Sequence, residues 1–507
     1  MARTINLSTH RRRFLGIVLC AALLGLFATN SLAEPQLENS IDASTDIALL
    51  PDSSQLALSP DLELLPGRAG AQALDNVRLE QRVHELEQQL YDVQQSLELS
   101  ADPTIEQAGY QGPMMSAHDQ HWGGHRFRNS RYPTVAWGGF MQLDTGWISQ
   151  DAASKAAFGN IDAQTGLRRV RLNVRGNVQR NLSYLIDLDF AATGHPSFRD
   201  AMFTAHELDA VQNFRVGYYQ QPFGLDAMTS GRELIFLERL LPFAFDPFRQ
   251  TGFGCYGNFV EKAGSWAVSA YRFPTDEFGV SEGESGGWAV ASRTTAKLID
   301  NNGGDEMVHV GLNYSVGDPG TNMVRYSIQP GFFVTDPTDP GTAGGVPTIV
   351  DTGDIPTQVF NLFGAELAAQ YGSLNFQSEL KGSVVDQIDG PTLGFWGAYA
   401  QVAWVITGEV HPYDAERGAF RRVIPHRDTT FGHLSEGAWE VAAGWSYIDL
   451  NDENIAGGRA YSGIIGINRY LSRYVKFQFN AIRVLSDDAT FGDTGTTVVA
   501  LRSQAEF

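Results

Sequence analysis

The stretch Gly166-Leu167-Arg168-Arg169-Val170-Arg171-Leu172-Asn173-Val174-Arg175-Gly176 decides how this chain is read. With a period of two, Arg169, Arg171, Asn173 and Arg175 fall on one face, and Val170, Leu172 and Val174 on the other. A strand of a soluble sandwich buries its apolar face against a second sheet. A membrane barrel strand gives that face to lipid and turns the charged face to a wet lumen. The segments around this one select the barrel.

On the N-terminal side, Trp137, Met141, Leu143 and Trp147 share a face opposite Gln142 and Asp144. Ten residues separate the two tryptophans, about 33 Å of strand, which a tilt of about 40–45° reduces to about 23–25 Å of height. That is the apolar band of an outer membrane with an aromatic at each rim. Downstream, Tyr184, Ile186, Leu188 and Phe190 alternate with Leu185, Asp187 and Asp189. Trp439, Val441, Ala443, Trp445 and Tyr447 alternate with Glu440, Ala442, Gly444 and Ser446. Val475, Phe477, Phe479 and Ala481 alternate with Lys476, Gln478 and Asn480. The last strand presents Val499, Leu501, Ser503, Ala505 and the terminal Phe507 on one face, which resembles the signal that hands outer-membrane barrels to their assembly machinery.

Connections come in two sizes. Gly176 to Leu182 and Leu471 to Tyr474 are short, whereas Asp276 to Gly287, Asp336 to Thr357 and Asp449 to Gly458 are long, acidic and rich in Gly or Pro. Short turns at one end and long loops at the other are the asymmetry of an outer-membrane barrel. The long loops lack calcium-loop spacing and read as solvated.

The chain has 507 residues, 53 of them Gly, with 11% aromatics and a net charge of -21. That charge argues against nucleic acid and anionic lipid surfaces as partners, yet leaves an anion pore open, because selectivity is set at the constriction. Cys20 lies in an apolar leader, so Cys255 is the lone cysteine of the mature chain and neither a disulfide nor a zinc site is expected. No G-x-S-x-G or H-E-x-x-H motif occurs, and His195, His206, His309, His411, His426 and His433 are scattered, so neither an enzyme nor a cofactor is expected.

Five regions follow. Residues 1–33 read as an export signal, with Arg11, Arg12 and Arg13, an apolar run from Phe14 to Phe27, and small residues at Ser31 and Ala33. Residues 34–73 are an acidic disordered linker. In 74–99, Leu79, Val83, Leu86, Leu90, Val93 and Leu97 form a heptad seam, an oligomerising periplasmic coiled coil. Residues 100–132 are a second linker. Its His118, His121 and His125 lie beside Asp119 but near Gly123 and Gly124, and they read as solvated rather than as metal ligands. Residues 133–507 are the barrel.

Several barrel segments resemble the phosphate-selective porin O and P family over roughly residues 135–507. Arg168-Arg169-Val170-Arg171 looks like its R-R-x-R strand. Gly217 with Pro222-Phe223-Gly224 looks like its G-x-x-x-x-P-F-G segment. Phe236-Leu237-Glu238-Arg239, with Thr251-Gly252 beyond, resembles its F-x-E-R loop. Ile406-Thr407-Gly408-Glu409 with Tyr413 resembles its L-T-G-E segment, and Ala438-Trp439-Glu440-Val441 its closing region. The resemblance implies an all-β transmembrane barrel of about sixteen antiparallel strands, usually trimeric. It further implies that Arg168, Arg169 and Arg239 narrow the path and bind phosphate. Guanidinium suits that task, since its forked donors match phosphate oxygens and it stays charged.

Alternation adds Arg171 and Arg175 to the anion path, and requires a bulge or a loop position if Arg168 is to face the lumen beside Arg169. With a tight 176–182 connection, Asp187 and Asp189 lie opposite Arg171 and Arg169 and offset part of the ladder. The alternative for these arginines is a salt-bridge network that stiffens the wall. Between Arg232 and Arg249, the residues Phe236, Leu240, Leu241, Pro242, Phe243, Phe245 and Phe248 are too apolar for an exposed loop. They fold inward, leaving Arg239 and Arg249 near the opening, or they make a trimer contact outside. The expected protein is an outer-membrane homotrimer that passes small inorganic anions, phosphate or polyphosphate, by diffusion. The alternatives are a general porin, or an anchor that reaches the cell wall through its coiled coil.

Overall fold

The structure, a computed structural model, describes residues 132–191, 196–259, 262–283, 287–334, 346–429, 436–488 and 492–507. The expected signal, acidic linker and coiled coil, and the linker histidines His118, His121 and His125, lie outside the described residues.

Sixteen long antiparallel strands close into a barrel. They are β1 (Ala136–Gln150), β2 (Gln164–Gln179), β3 (Leu182–Asp189), β4 (Ser197–Leu208), β5 (Gln212–Gln220), β6 (Arg249–Asn258), β7 (Ser265–Arg272) and β8 (Trp288–Asn301). The second half is β9 (Glu306–Gly317), β10 (Ile355–Tyr371), β11 (Leu374–Gln387), β12 (Thr392–Val405), β13 (Ala438–Asp452), β14 (Ile455–Tyr470), β15 (Val475–Asp488) and β16 (Gly492–Glu506). Each strand pairs with the next, and β1 pairs with β16 from Phe140 opposite Glu506 to Gln150 opposite Thr496. Closure leaves no sheet edge, which lipid demands because it cannot satisfy open backbone groups.

Alternation sorts the side chains. Trp137, Met141, Leu143 and Trp147 are exposed on the outer face of β1, while Gln142 and Asp144 are buried inside. Trp137, Trp404 and Trp439 are exposed near the end where β1 begins and β16 finishes, and Trp147, Trp288 and Trp396 near the opposite end. Cys255 is buried in β6.

Two connections differ from expectation. Asp449 to Gly458 is not a long loop, since β13 runs to Asp452 and β14 begins at Ile455. Its acidic, Gly-rich composition belongs to strands that rise past the membrane into water, where neither face needs apolar residues. Conversely, the connection after β12, described over 406–429 and 436–437, is longer than the short turns expected at that end. It folds into the barrel and forms a small hairpin, with Tyr413 opposite Phe420 and Asp414 opposite Ala419.

Candidate functional site

The lumen is divided at mid-height by residues 221–248, which leave β5 and return as β6. Of the two places open to this apolar loop, inside the barrel or at an outer contact, it takes the first. Phe223, Leu225, Phe236, Leu237, Leu241 and Phe245 are all buried against the inner wall. The Phe236 ring lies over Gly444 and Gly466, where an added Cβ would come within 2.7 and 3.2 Å of it.

Wall side chains hold the loop by its backbone. The Glu379 carboxylate accepts from the N–H groups of Leu225 and Asp226 at 2.7 and 2.8 Å, at the start of the helical turn Leu225–Met228. Asn480 accepts from the Leu237 N–H at 2.8 Å, and Asn468 donates to the Ile235 carbonyl at 2.8 Å. Lys381 pairs with Asp246 at 2.6 Å. Buried loop backbone is tolerated only with such partners.

The described parts of a second loop, 318–334 and 346–354, pack on the first. Tyr326 and Phe245 pack with ring centroids 5.3 Å apart and planes tilted by 57°, and Phe332 is buried against Gly146 of β1. From the opposite end, the 406–429 segment is fixed by Arg293, which holds Glu366 at 2.7 Å and donates to the Arg417 and Gly418 carbonyls. His309 bridges Glu366 and the Tyr413 hydroxyl at 3.0 and 2.7 Å. These fillers pack mainly against β10 to β16, and a cavity remains open beside β2, β3 and β4.

Six arginines line that cavity (Arg171, Arg175, Arg232, Arg239, Arg249 and Arg417) against two aspartates, Asp187 and Asp200. Arg171 bonds Asp189 at 3.0 Å and approaches Asp187 at 3.9 Å, and Arg249 pairs with Asp200 at 3.3 Å. Arg239 donates instead to three loop carbonyls, those of Asp226, Ala227 and Thr229, at 2.9, 3.3 and 2.6 Å. Burial draws its guanidinium down to about 10, so it stays charged at neutral pH. Phe140 carries the Arg171 and Arg232 guanidiniums on its ring, and Phe248 those of Arg239 and Arg249.

Arg168 and Arg169 lie elsewhere. Gln142 of β1 pairs with Arg169 but Leu143 pairs with Leu167, so Arg168 is the extra residue of a β-bulge. The bulge turns both arginines to Glu238, which accepts from Arg168 at 3.0 Å and Arg169 at 2.7 Å. Arg502 completes the cluster, 2.7 Å from Glu238 and 2.7 Å from Asp144. Burial raises the Glu238 pKa, but the Arg168, Arg169 and Arg502 charges outweigh it and hold the carboxyl well below its usual range.

The acidic register is also corrected: Asp189 faces Arg171 and Asp187 faces Asn173, because the hairpin turns at Arg180 and Asn181. Arg232, Arg417 and Arg502 escaped sequence reasoning. Arg502 was findable, since it alternates with Gln504 and Glu506 on the inner face of β16. Among the described residues no cluster of His, Cys, Asp and Glu is arranged to hold a metal ion.

A closed barrel with an apolar belt, a polar lumen and a loop folded to mid-height is the architecture of an outer-membrane porin and points to a channel rather than an enzyme. The model of the phosphate-selective porin O and P family matches residues 138–507, and the chain belongs to that family. It is 22% identical over 358 residues to Porin O of Pseudomonas aeruginosa, covering 66% of this chain and 79% of that protein. Similar solved structures include an anion-selective porin from Comamonas acidovorans, at 12% identity with a TM-score of 0.44, covering 74% of this chain and 99% of that one. Another is the outer membrane channel DcaP of Acinetobacter baumannii, at 11% identity with a TM-score of 0.46, covering 76% and 99%.

Proposed function

We propose that the porin passes small oxyanions, inorganic phosphate among them, through the cavity between β2–β4 and the inward loop. The observation that supports this is the lining of six arginines against two aspartates. In this reading an anion entering from outside meets Arg239, Arg249 and Arg232 on the loop side, with Arg171 and Arg175 on the wall. Guanidiniums stacked on Phe140 and Phe248 are oriented before the ion arrives, which lowers the ordering cost of binding. Asp187 and Asp200 weaken the site enough for the ion to leave, as conduction requires. Arg168 and Arg169 act at one remove, through Glu238, by fixing the loop that carries Arg239.

Two further parts of the reading rest on sequence. The heptad seam from Leu79 to Leu97 supports a trimer with a periplasmic coiled coil. The terminal Phe507, exposed on the outer face, supports its use by the barrel assembly machinery.

The test is single-channel recording of the purified protein in planar bilayers. The reversal potential in a chloride gradient reports anion preference, and added phosphate should reduce chloride current. Arg239→Ala and Arg171→Ala should each weaken that block severalfold. A cation preference, or an indifferent pore, would mean the lumen carboxylates dominate and the protein is a general porin.

A further inference from the structure

The lumen face of a barrel strand is expected to be polar. At the arginine cavity an apolar step interrupts it. Leu185 of β3 and Met202 of β4 are direct cross-strand partners, and Leu185 also pairs with Arg175 of β2. One row of the inner wall therefore reads Arg175, Leu185, Met202, and the next row along the strands reads Asn173, Asp187, Asp200. All six side chains line the cavity, together with Phe248 from the loop. Leu185, Met202 and Phe248 are each only half-buried, so apolar surface is left wet beside concentrated positive charge.

Neither packing nor inorganic phosphate accounts for this. The apolar loop residues that fill the lumen pack against other strands, and the cluster they form includes neither Leu185 nor Met202. A phosphate ion gains nothing from a hydrocarbon wall, and a wall meant only for ions would bear hydroxyls or amides, as Ser183 and Thr204 do nearby. An anion with a hydrocarbon body matches both halves of the lining. Its oxyanion end meets the guanidiniums, and its chain covers the step made by Leu185 and Met202.

We propose that this cavity is a binding site for organic oxyanions, carboxylates or phosphate esters with a short hydrocarbon body, which it holds more tightly than inorganic ions of equal charge. The inference rests on the reading of the cavity as the anion path. Each methylene moved from water onto the apolar step should strengthen binding by up to about fourfold, the factor for complete burial of one CH₂ group.

The experiment records chloride current through the wild-type protein in planar bilayers while acetate, butyrate, hexanoate or inorganic phosphate is added. Half-block should fall to lower concentrations from acetate to butyrate to hexanoate. In the Leu185→Asn/Met202→Gln double variant, acetate and hexanoate should block at the same concentration. Heat-modifiable gel migration checks that the variant is a folded barrel, and the wild-type series decides the matter if it is not. A wild-type pore that prefers anions but blocks equally with all three carboxylates overturns this inference and leaves the anion reading standing. A pore with no anion preference overturns both.

Discussion

Glu238 on the inward loop holds Arg169 of β2 with oxygen and nitrogen 2.7 Å apart, and the same carboxylate takes Arg168 and Arg502. One loop residue thus ties β2 and β16, the two strands that flank β1, to the constriction. Glu238→Gln leaves three guanidiniums with Asp144 as the remaining carboxylate of the cluster. Removing one partner of a buried ion cluster costs about 3 kcal/mol or more. The temperature at which the folded band converts to the unfolded band on a gel should fall. At the same time the reversal potential should move towards the anion limit, since a neutralising charge has gone. An unchanged transition temperature would show that Glu238 does not hold the loop.

Phe248 has φ +52°, a left-handed conformation for a bulky residue, and its ring lies 5.1 Å from the Arg239 guanidinium and 4.6 Å from that of Arg249. Such backbone costs about 1–2 kcal/mol and persists only where surrounding contacts impose it. Phe248→Gly removes the strain and both stacking contacts together. Stability against heat should stay level or rise, while phosphate block weakens severalfold because Arg249 loses its platform and Arg239 keeps only the Phe243 ring. Equal phosphate block in variant and wild type would deny Phe248 an orienting role.

The strands were legible because lipid imposes a rule on every second residue. Trp137, Met141, Leu143 and Trp147 had to point outwards once Gln142 and Asp144 pointed in. The rule stops at the rim, which is why Asp449 to Gly458 reads as a loop when it is the tip of a hairpin. It also says nothing about a connection that turns back into the barrel. The apolar content of 232–249 fits an inner wall and an outer contact equally well. Its position depends on Asn468, Asn480 and Glu379, each distant in sequence. The arginines of the resemblance were identified as residues, but their neighbours were not. Glu238 sits inside the quoted F-x-E-R motif, yet its hold on Arg168 and Arg169 needs the fold.

Asp226 supplies a pH dependence. Burial raises its pKa from 3.8 to about 6, with Arg239 and Lys381 pulling the other way. An acid with a raised folded-state pKa stabilises the fold fully below its unfolded value, and loses that contribution as pH rises through the folded value. For Asp226 the window lies between 3.8 and about 6. The folded carboxyl ionises as pH rises through about 6 and adds negative charge near Arg239, so anion preference should be greater at pH 5 than at pH 7. Reversal potentials at the two values check this, and Asp226→Asn should reduce the difference. A variant with an undiminished difference would assign the titration to another group.

The last strand closes the barrel at Gly139. The Gly139 N–H donates to the Phe507 carbonyl at 3.0 Å, and the Phe507 N–H returns to the Gly139 carbonyl at 3.1 Å. A Cβ at position 139 would lie 2.3 Å from the Arg171 carbonyl oxygen and 2.7 Å from the Phe507 ring. Gly139→Val should therefore lower the yield of closed barrel both in detergent refolding and in cells. Phe507→Ala separates two roles, because it keeps both backbone hydrogen bonds and loses only the exposed ring. If that ring is read by the assembly machinery, the alanine variant refolds in detergent as well as wild type but accumulates poorly in the outer membrane. Poor refolding in detergent as well would make the ring a packing element of the seam. Normal assembly in cells would mean that the terminal aromatic is dispensable.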